Sequence, residues 1–410
     1  MTASPLNHAS MKYASISDRL DGLGAAKWAV HIAGKQRAAA GADLIFLSIG
    51  EPDLPPPAKV VEHAITALRA GRTKYASGQG EVGTLDAVAA HHERRSGLPT
   101  TRRNIAVTSG TQHALYAAIT TLVETGDEVL VPDPYYATYE GVVASTGATF
   151  VPVPTLPEHD FHLRPEALEA AITPRSRVLL MNTPSNPTGA VLSEAEIDAI
   201  GEVCARHDLW IVCDEVYAEL TFDRPFSSPF DRPRLRERSV SVASISKSHA
   251  LPGFRSGWAA GPEEFIRRLT LVSETMLFGI QPFLSDALVV ALDEQHPEVR
   301  RQRDVFHERA QAMVATLEGS TGVRVHLPEG GMFVLADVRP TGLSGLDFAW
   351  RLLDECGVVV MPGESFGARG AGHVRLALTV EADVMAEACR RIRELAEQLA
   401  AERRADTQEG

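Results

Sequence analysis

From Asn104 to Gly261 the chain alternates short apolar runs with stretches of helical spacing, and this alternation restricts its fold more than any other feature. NIAVTSG, DEVLVPDPYY, ATFVPVPT, SRVLLMNTPSNPTG, DLWIVCDEVY, SVSVASISK and GFRSGWAAG each carry an apolar run, most of them into a turn. Between them lie TQHALYAAITTLVETG, RPEALEAAI and SEAEIDAIGEVCARH. The last opens with Ser193 and Glu196 at capping-box spacing. Strands that are apolar nearly throughout are buried on both faces. Separated by helices, they predict an α/β fold with a mainly parallel sheet covered on both sides.

Outside this block the pattern changes. Residues 15–40 read as helical around Trp28 and Ile32, and ADLIFLSIGEPD as a short strand entering a turn at Pro52. PAKVVEHAITALRAG has helical spacing with proline near its start and glycine at its end, followed by the glycine-rich loop TKYASGQGEVG. HPEVRRQRDVFHERAQAMVATLEG reads as one long exposed helix crossing between domains. The strands VRVHLPEGGMFVLADV, GVVVMPGESFG and HVRLALT, with helices at 346–356 and 381–401, form an α+β unit. Residues 1–14 and the closing RRADTQEG are expected to be loose. At 410 residues the chain exceeds the size at which a single core stops growing. We expect residues 1–48 to join a small domain, 49–290 to form a large domain, and 291–410 to supply the interdomain helix and the rest of the small one.

The net charge of −13 argues against a nucleic-acid partner and an anionic membrane surface. No apolar stretch reaches membrane-spanning length, and the N-terminus lacks a basic-then-apolar secretory pattern. Cys204, Cys213, Cys356 and Cys389 are scattered, without CxxC spacing, which suits a reducing cytoplasm better than a disulfide framework. Asp214 and Glu215 are adjacent, but no histidines stand at ligand spacing, so no metal site is expected.

Several residues could carry chemistry. Lys247 follows an apparent central strand, and ligands of open α/β sheets bind beyond the carboxyl ends of the strands. A buried amine there would lose affinity for its proton and become a nucleophile toward carbonyls; a lysine on a surface loop is the ordinary alternative. Asp214 ends LWIVCD, where a lone carboxylate wants a partner; a protonated ring nitrogen or a plain salt bridge would serve. TSGTQHA (108–114) is a strand, a glycine turn and a helix start, whose free N–H groups suit a phosphate. Ser244, Ser246 and Arg255 bracket Lys247 with further donors. His91, His92, His113 and His249 have no supporting spacing and read as structural or solvated.

Taken in order, IGEPD (49–53), Tyr75, NTPSNPTG (182–189), DEVY (214–217), SISKSHALPGFRSGW (244–258), PEGGMFV (328–334) and Arg375 resemble the class I/II aminotransferases of the fold-type I family, which depend on pyridoxal 5'-phosphate. The resemblance covers nearly the whole chain. It implies a mainly parallel seven-stranded sheet in the large domain and a smaller α+β domain. Lys247 would bind the cofactor covalently and shuttle the substrate proton, Asp214 would pair with the pyridine nitrogen, and Tyr217 and Asn186 would bond the ring's 3′-oxygen. Tyr136 would stack on the ring in preference to Tyr135. Gly110, Thr111, Gln112, Ser244 and Arg255 would form the phosphate cup, and Tyr75 would reach the phosphate in the neighbouring subunit of a homodimer. Arg375 would hold the substrate α-carboxylate, with Gly50 and Asn186 lining that pocket. The substrates implied are small amino and 2-oxo acids. GAAKWAVH, HDLWIVCDEVYAELTFD and GESFGARGAGHVRLAL further resemble the transaminases that move the amino group of L-arginine to pyruvate. Glu274, Trp28 and Tyr75 are then candidates for a lining that accepts a basic side chain. An aspartate or broad-specificity aminotransferase using 2-oxoglutarate, or a β-lyase sharing the cofactor, is the alternative.

Overall fold

The computed structural model describes residues 12–23, 25–293 and 296–409. Most of the expected loose N-terminal tail, residues 1–11, lies outside these. The strands, in chain order, are β1 (Ile45–Phe46), β2 (Ile105–Thr108), β3 (Glu128–Asp133), β4 (Thr149–Pro154), β5 (Ser176–Asn182), β6 (Trp210–Asp214), β7 (Ser239–Ser244), β8 (Gly257–Ala260), β9 (Arg324–Val325), β10 (Phe333–Asp337), β11 (Val358–Val359), β12 (Met361–Pro362) and β13 (His373–Ala377).

Seven of them form the main sheet in the order β2-β8-β7-β6-β5-β3-β4. β8 runs antiparallel to both neighbours; the other pairings are parallel. Except at the edge strand β4, the sheet is buried on both faces, which is why its strands lack polar alternation. Val178 and Leu180 of β5 pack with the helices Gly110–Leu122 and Glu263–Met276, whereas Leu179 and Met181 pack with the helix Glu194–Arg206 on the opposite face. The Ser193–Glu196 capping box starts that last helix.

The second unit has its own core, in which Phe306, Phe348, Leu352, Val374 and Ile392 meet Val30 and Leu47 from the N-terminal segment. Its sheet is antiparallel, β12-β13-β10-β9, and β1 pairs in parallel with β11. The architecture is thus a large α/β domain with a mainly parallel sheet and a smaller β+α domain.

Two expectations need correction. The helix Pro297–Leu317 is not simply exposed: Gln302, Phe306, Arg309, Ala310, Met313 and Leu317 are buried along one face. Its Arg309 Nη1 donates to Asp53 Oδ1 at 2.8 Å and to the Leu378 carbonyl at 2.9 Å. The C-terminal helix also runs further than expected, from Ala382 to Glu409, so the terminal segment is helical rather than loose.

The helix Ala29–Ala39 approaches the small core through Gly34. A Cβ there would lie 2.8 Å from Val359 Cγ2 and 3.3 Å from Phe46 Cε1. Gly34→Ile therefore overpacks the contact between the N-terminal segment and β11. Urea unfolding of the apoprotein should show a loss of about 1–3 kcal/mol; unchanged stability would mean the helix is not seated there.

Candidate active site

The parallel strands end at one edge, and the sequence puts polar residues at those ends. Asn182 closes β5, Asp214 closes β6 and Ser244 closes β7, with Asn182 registered against Asp214. Lys247 lies on the loop beyond β7. The helix Gly110–Leu122 starts just after β2 at the same edge, and the antiparallel β8 places Arg255 ahead of its first residue. From the small domain, β13 contributes Arg375 and β10 contributes Phe333.

These elements enclose a cavity of about 220 Å³. It is lined by Gly50, Thr111, Gln112, Tyr136, Asn186, Asp214, Tyr217, Ser244, Lys247, Arg255 and Arg375. Of the site residues expected from the sequence, Gly110, Tyr75 and Glu274 are outside this lining. Gly110 lies directly behind it: its φ is +75°, and a Cβ would meet Arg255 Nη2 at 2.4 Å. Glycine is required there for both reasons.

Asp214 is 4% exposed. Its Oδ2 accepts the Tyr139 hydroxyl at 2.8 Å and its Oδ1 accepts the Val216 N–H at 3.2 Å. Burial pushes the carboxyl up to about 6, against the opposing pull of these two donors. Lys247 Nζ donates to the Gly50 carbonyl at 2.6 Å. Burial, reinforced by the positive charge of Arg375, brings the amine down to about 8.

Arg375 is 2% exposed. It donates to Asn186 Oδ1 at 2.9 Å and to the Ser48 carbonyl at 2.6 Å, while its Nε is buried without a hydrogen-bond partner. Its guanidinium carbon lies 3.9 Å and 4.6 Å from the ring centroids of Phe333 and Phe366. Burial lowers its pKa to about 10. The hydrogen bonds go to neutral oxygens, leaving a desolvated cation suited to a carboxylate brought by a ligand.

The far wall is built from donors. Thr111 Oγ1 donates to Ser244 Oγ at 2.9 Å, and Arg255 holds the Pro252 carbonyl at 2.8 Å from a left-handed backbone, φ +50°. With the free N–H groups of the helix start, this wall suits a phosphate.

Tyr136 lines the cavity, whereas Tyr135 turns away to Phe150 and Glu140. Trp28 also lines it. Tyr75 does not: it is 88% exposed and edge-on to Phe278 at 6.4 Å. Nor does Glu274, whose carboxylate covers Gly78, because the helix Glu263–Met276 carries it to the glycine-rich loop. The four histidines are engaged elsewhere; His92 accepts the Trp258 indole N–H at 3.0 Å and His249 bonds the Ala291 carbonyl at 3.0 Å. Sequence reasoning missed Tyr139, Asn182, Phe333 and Phe366. Tyr139 carried no sequence signal, because Tyr136 lies ahead of the helix Tyr139–Thr146 and only the folded chain brings the two rings together.

A buried carboxylate, a buried amine, a glycine cradle and an uncompensated guanidinium together fit pyridoxal phosphate carrying an amino acid. The comparisons agree. A family model described as "Aminotransferase class I and II" matches residues 42–392. The chain belongs to the class I and II aminotransferases. This aminotransferase is 43% identical over 382 residues to the arginine–pyruvate transaminase of Pseudomonas aeruginosa, covering 93% of this chain and 97% of that one. It is 36% identical over 371 residues to an aspartate/prephenate aminotransferase of Cereibacter sphaeroides, covering 87% and 92%. A solved structure of Thermus thermophilus aspartate aminotransferase with maleate superposes with a TM-score of 0.85 at 31% identity, covering 96% of this chain and all of that one. The family is fold type I and uses pyridoxal phosphate. No helix among the described residues is long and apolar enough to cross a membrane.

The lowered pKa of Lys247 sets a pH dependence. The neutral amine is the reactive form, so its fraction rises with pH and saturates once the pH passes about 8. Stopped-flow uptake of pyridoxal phosphate by the apoprotein should therefore accelerate up to that point and then level off. A rate still climbing tenfold per unit above pH 9 would mean the amine is unperturbed.

Proposed function

We propose that the enzyme moves the α-amino group of a basic L-amino acid, L-arginine first among them, to pyruvate by a ping-pong mechanism. The observation that carries the aminotransferase reading is the meeting of Lys247, Asp214 and Arg375 around one cavity. The donor assignment is supported by the 43% identity to the arginine–pyruvate transaminase and by Trp28 in the cavity lining, since aromatic rings attract guanidinium groups.

When bound, pyridoxal phosphate supplies an aldehyde that takes up the amino group and a cationic ring that accepts the electron pair left at the substrate Cα. Gly110, Thr111, Gln112, Ser244 and Arg255 would hold its phosphate, Tyr136 its ring face, and Asn186 and Tyr217 its ring oxygen. Asp214 holds a proton at the ring nitrogen. Lys247 would take the proton from the substrate Cα and deliver it to the cofactor's C4′, across the nitrogen that joins them, a task suited to an amine with a pKa of about 8. Arg375 grips the α-carboxylate, and the grip is the same for amino and oxo acid, so both half-reactions share one orientation. Gly50 keeps the backbone close to that carboxylate; a Cβ there would strike Phe333 Cζ at 2.3 Å.

We also propose a homodimer in which Tyr75 serves the neighbouring cavity. Its support is the exposed apolar patch of Tyr75, Phe278, Met276 and Leu277.

Purified enzyme given L-arginine and pyruvate should form alanine. Faster turnover of L-aspartate with 2-oxoglutarate would favour the second reading, which rests on the aspartate/prephenate relatives. Ammonia and pyruvate released from a cysteine conjugate would mark a β-lyase. Lys247→Ala should abolish transamination in a folded protein. Arg375→Lys, which keeps the charge but loses the fork, should lower kcat/KM by about 10- to 100-fold; an unchanged value would remove Arg375 from carboxylate recognition.

A further inference from the structure

Tyr139 opens the helix Tyr139–Thr146 and is 1% exposed, at the inner wall of the site. Its hydroxyl donates to Asp214 Oδ2 at 2.8 Å. Its ring stands edge-on to Tyr136, with centroids 5.6 Å apart and planes at 88°. It therefore touches both the acid assigned to the ring nitrogen and the aromatic assigned to the ring face.

We infer that Tyr139 is a positioning residue that holds Asp214 ionised and aimed into the cavity while fixing the tilt of Tyr136. The inference rests on the cofactor roles proposed above for Asp214 and Tyr136. Each carboxylate oxygen of Asp214 receives one protein donor, Tyr139 on one side and the Val216 N–H on the other. Two opposed donors fix the rotation of the carboxylate and leave its remaining lone pairs for the ligand. The phenol is a dependable donor, because burial first, and the nearby carboxylate next, drive its own ionisation well above the ordinary range. Burial alone already lifts Asp214 toward neutrality. Without the phenol donor a larger share of Asp214 would be protonated at pH 7, and a neutral carboxyl holds a cationic ring nitrogen poorly. The titratable groups around Asp214 are Tyr139, the neighbouring Cys213 and Glu215, Tyr136 and Tyr217, and Lys247 across the cavity; among them Tyr139 is the uncharged group that donates a hydrogen bond to the carboxylate, favouring the anion at every working pH.

Tyr139→Phe separates this role from simple core filling, since it keeps the ring and its edge contact with Tyr136. In the apoprotein, ¹³C NMR of Asp214 should show its titration moving up by about one pH unit. The dissociation constant of pyridoxal phosphate at pH 7 should rise about tenfold, and the gap from wild type should narrow as the pH climbs past the shifted titration. The apoprotein melting temperature controls for folding. Tyr139→Leu, which also removes the edge contact, should weaken binding at every pH. Where the phenylalanine variant does not fold, 3-fluorotyrosine at position 139 offers a stronger donor of nearly the same shape and should move the Asp214 titration down. An unmoved Asp214 titration, or equal cofactor affinity in wild type and Tyr139→Phe, overturns the inference. Failure of the wild type itself to bind the cofactor, or borohydride labelling away from Lys247, would instead overturn the reading of the site.

Discussion

Three buried charged groups held around one cavity are the constraint on which the rest of the molecule depends. Asp214, Lys247 and Arg375 are each displaced toward neutrality, and burial is the leading cause in every case. Desolvated charges are costly unless they meet an opposite charge. Here Arg375 hydrogen-bonds neutral oxygens, and Lys247 donates to a backbone carbonyl. The fold holds these groups in a ligand-ready arrangement at some expense of its own stability. A ligand bringing an anion to Arg375 and a cation to Asp214 relieves that cost, so binding and orientation share one source of free energy. Preorganised charge of this kind needs little rearrangement when the reaction begins.

The fold meets this demand by letting two sheets face each other. The large sheet supplies Asp214, Lys247 and Arg255 from adjoining strand ends, because parallel strands deliver their carboxyl ends to a common edge. The small sheet supplies Arg375 and Phe333, and the N-terminal segment supplies Ser48 and Gly50. The Asn186–Arg375 hydrogen bond joins the loop after β5 to β13 of the small sheet. Behind it, the buried Arg309–Asp53 pair and the bonds from Gln302 to the carbonyls of Lys247 and Ser248 tie the long helix to the same loops. A shift of the small sheet would therefore alter the carboxylate grip and the Lys247 loop together.

Most of this was legible in the sequence where one physical demand acts on neighbouring residues. Six of the seven strands of the large sheet could be read because double burial removes polar alternation; the seventh, the edge strand β4, is only partly buried and was legible from its apolar residues alone. The wall around Lys247 could be read because Ser244, Ser246 and Arg255 lie within a few residues of it. Features formed by distant residues were hidden. The buried face of the helix Pro297–Leu317 includes Gln302 and Arg309, so its apolar stripe is broken by polar side chains whose partners lie far away in sequence. Tyr139 looked like one more aromatic of a helix start until Asp214, 75 positions away, was seen to accept its proton. Glu274 looked available as a substrate contact until its helix was seen to press it onto Gly78.

The charges around the cavity also indicate where substrate choice is made. Its lining carries Lys247, Arg255 and Arg375 as cations and Asp214 as the one carboxylate among the described residues. In the proposed reading the cofactor phosphate faces Arg255, the α-carboxylate Arg375 and the ring nitrogen Asp214, while Lys247 is reserved for the covalent bond to the cofactor. All of these answer parts of the ligand common to every amino acid. No acid in the lining then remains for a donor's side chain, and the lining aromatics outside those roles are Trp28 and Phe333, the latter lying against Arg375. Under that reading a basic side chain takes its counter-charge from outside this lining, so the lining answers the features all amino acids share and the choice among them rests on residues beyond it.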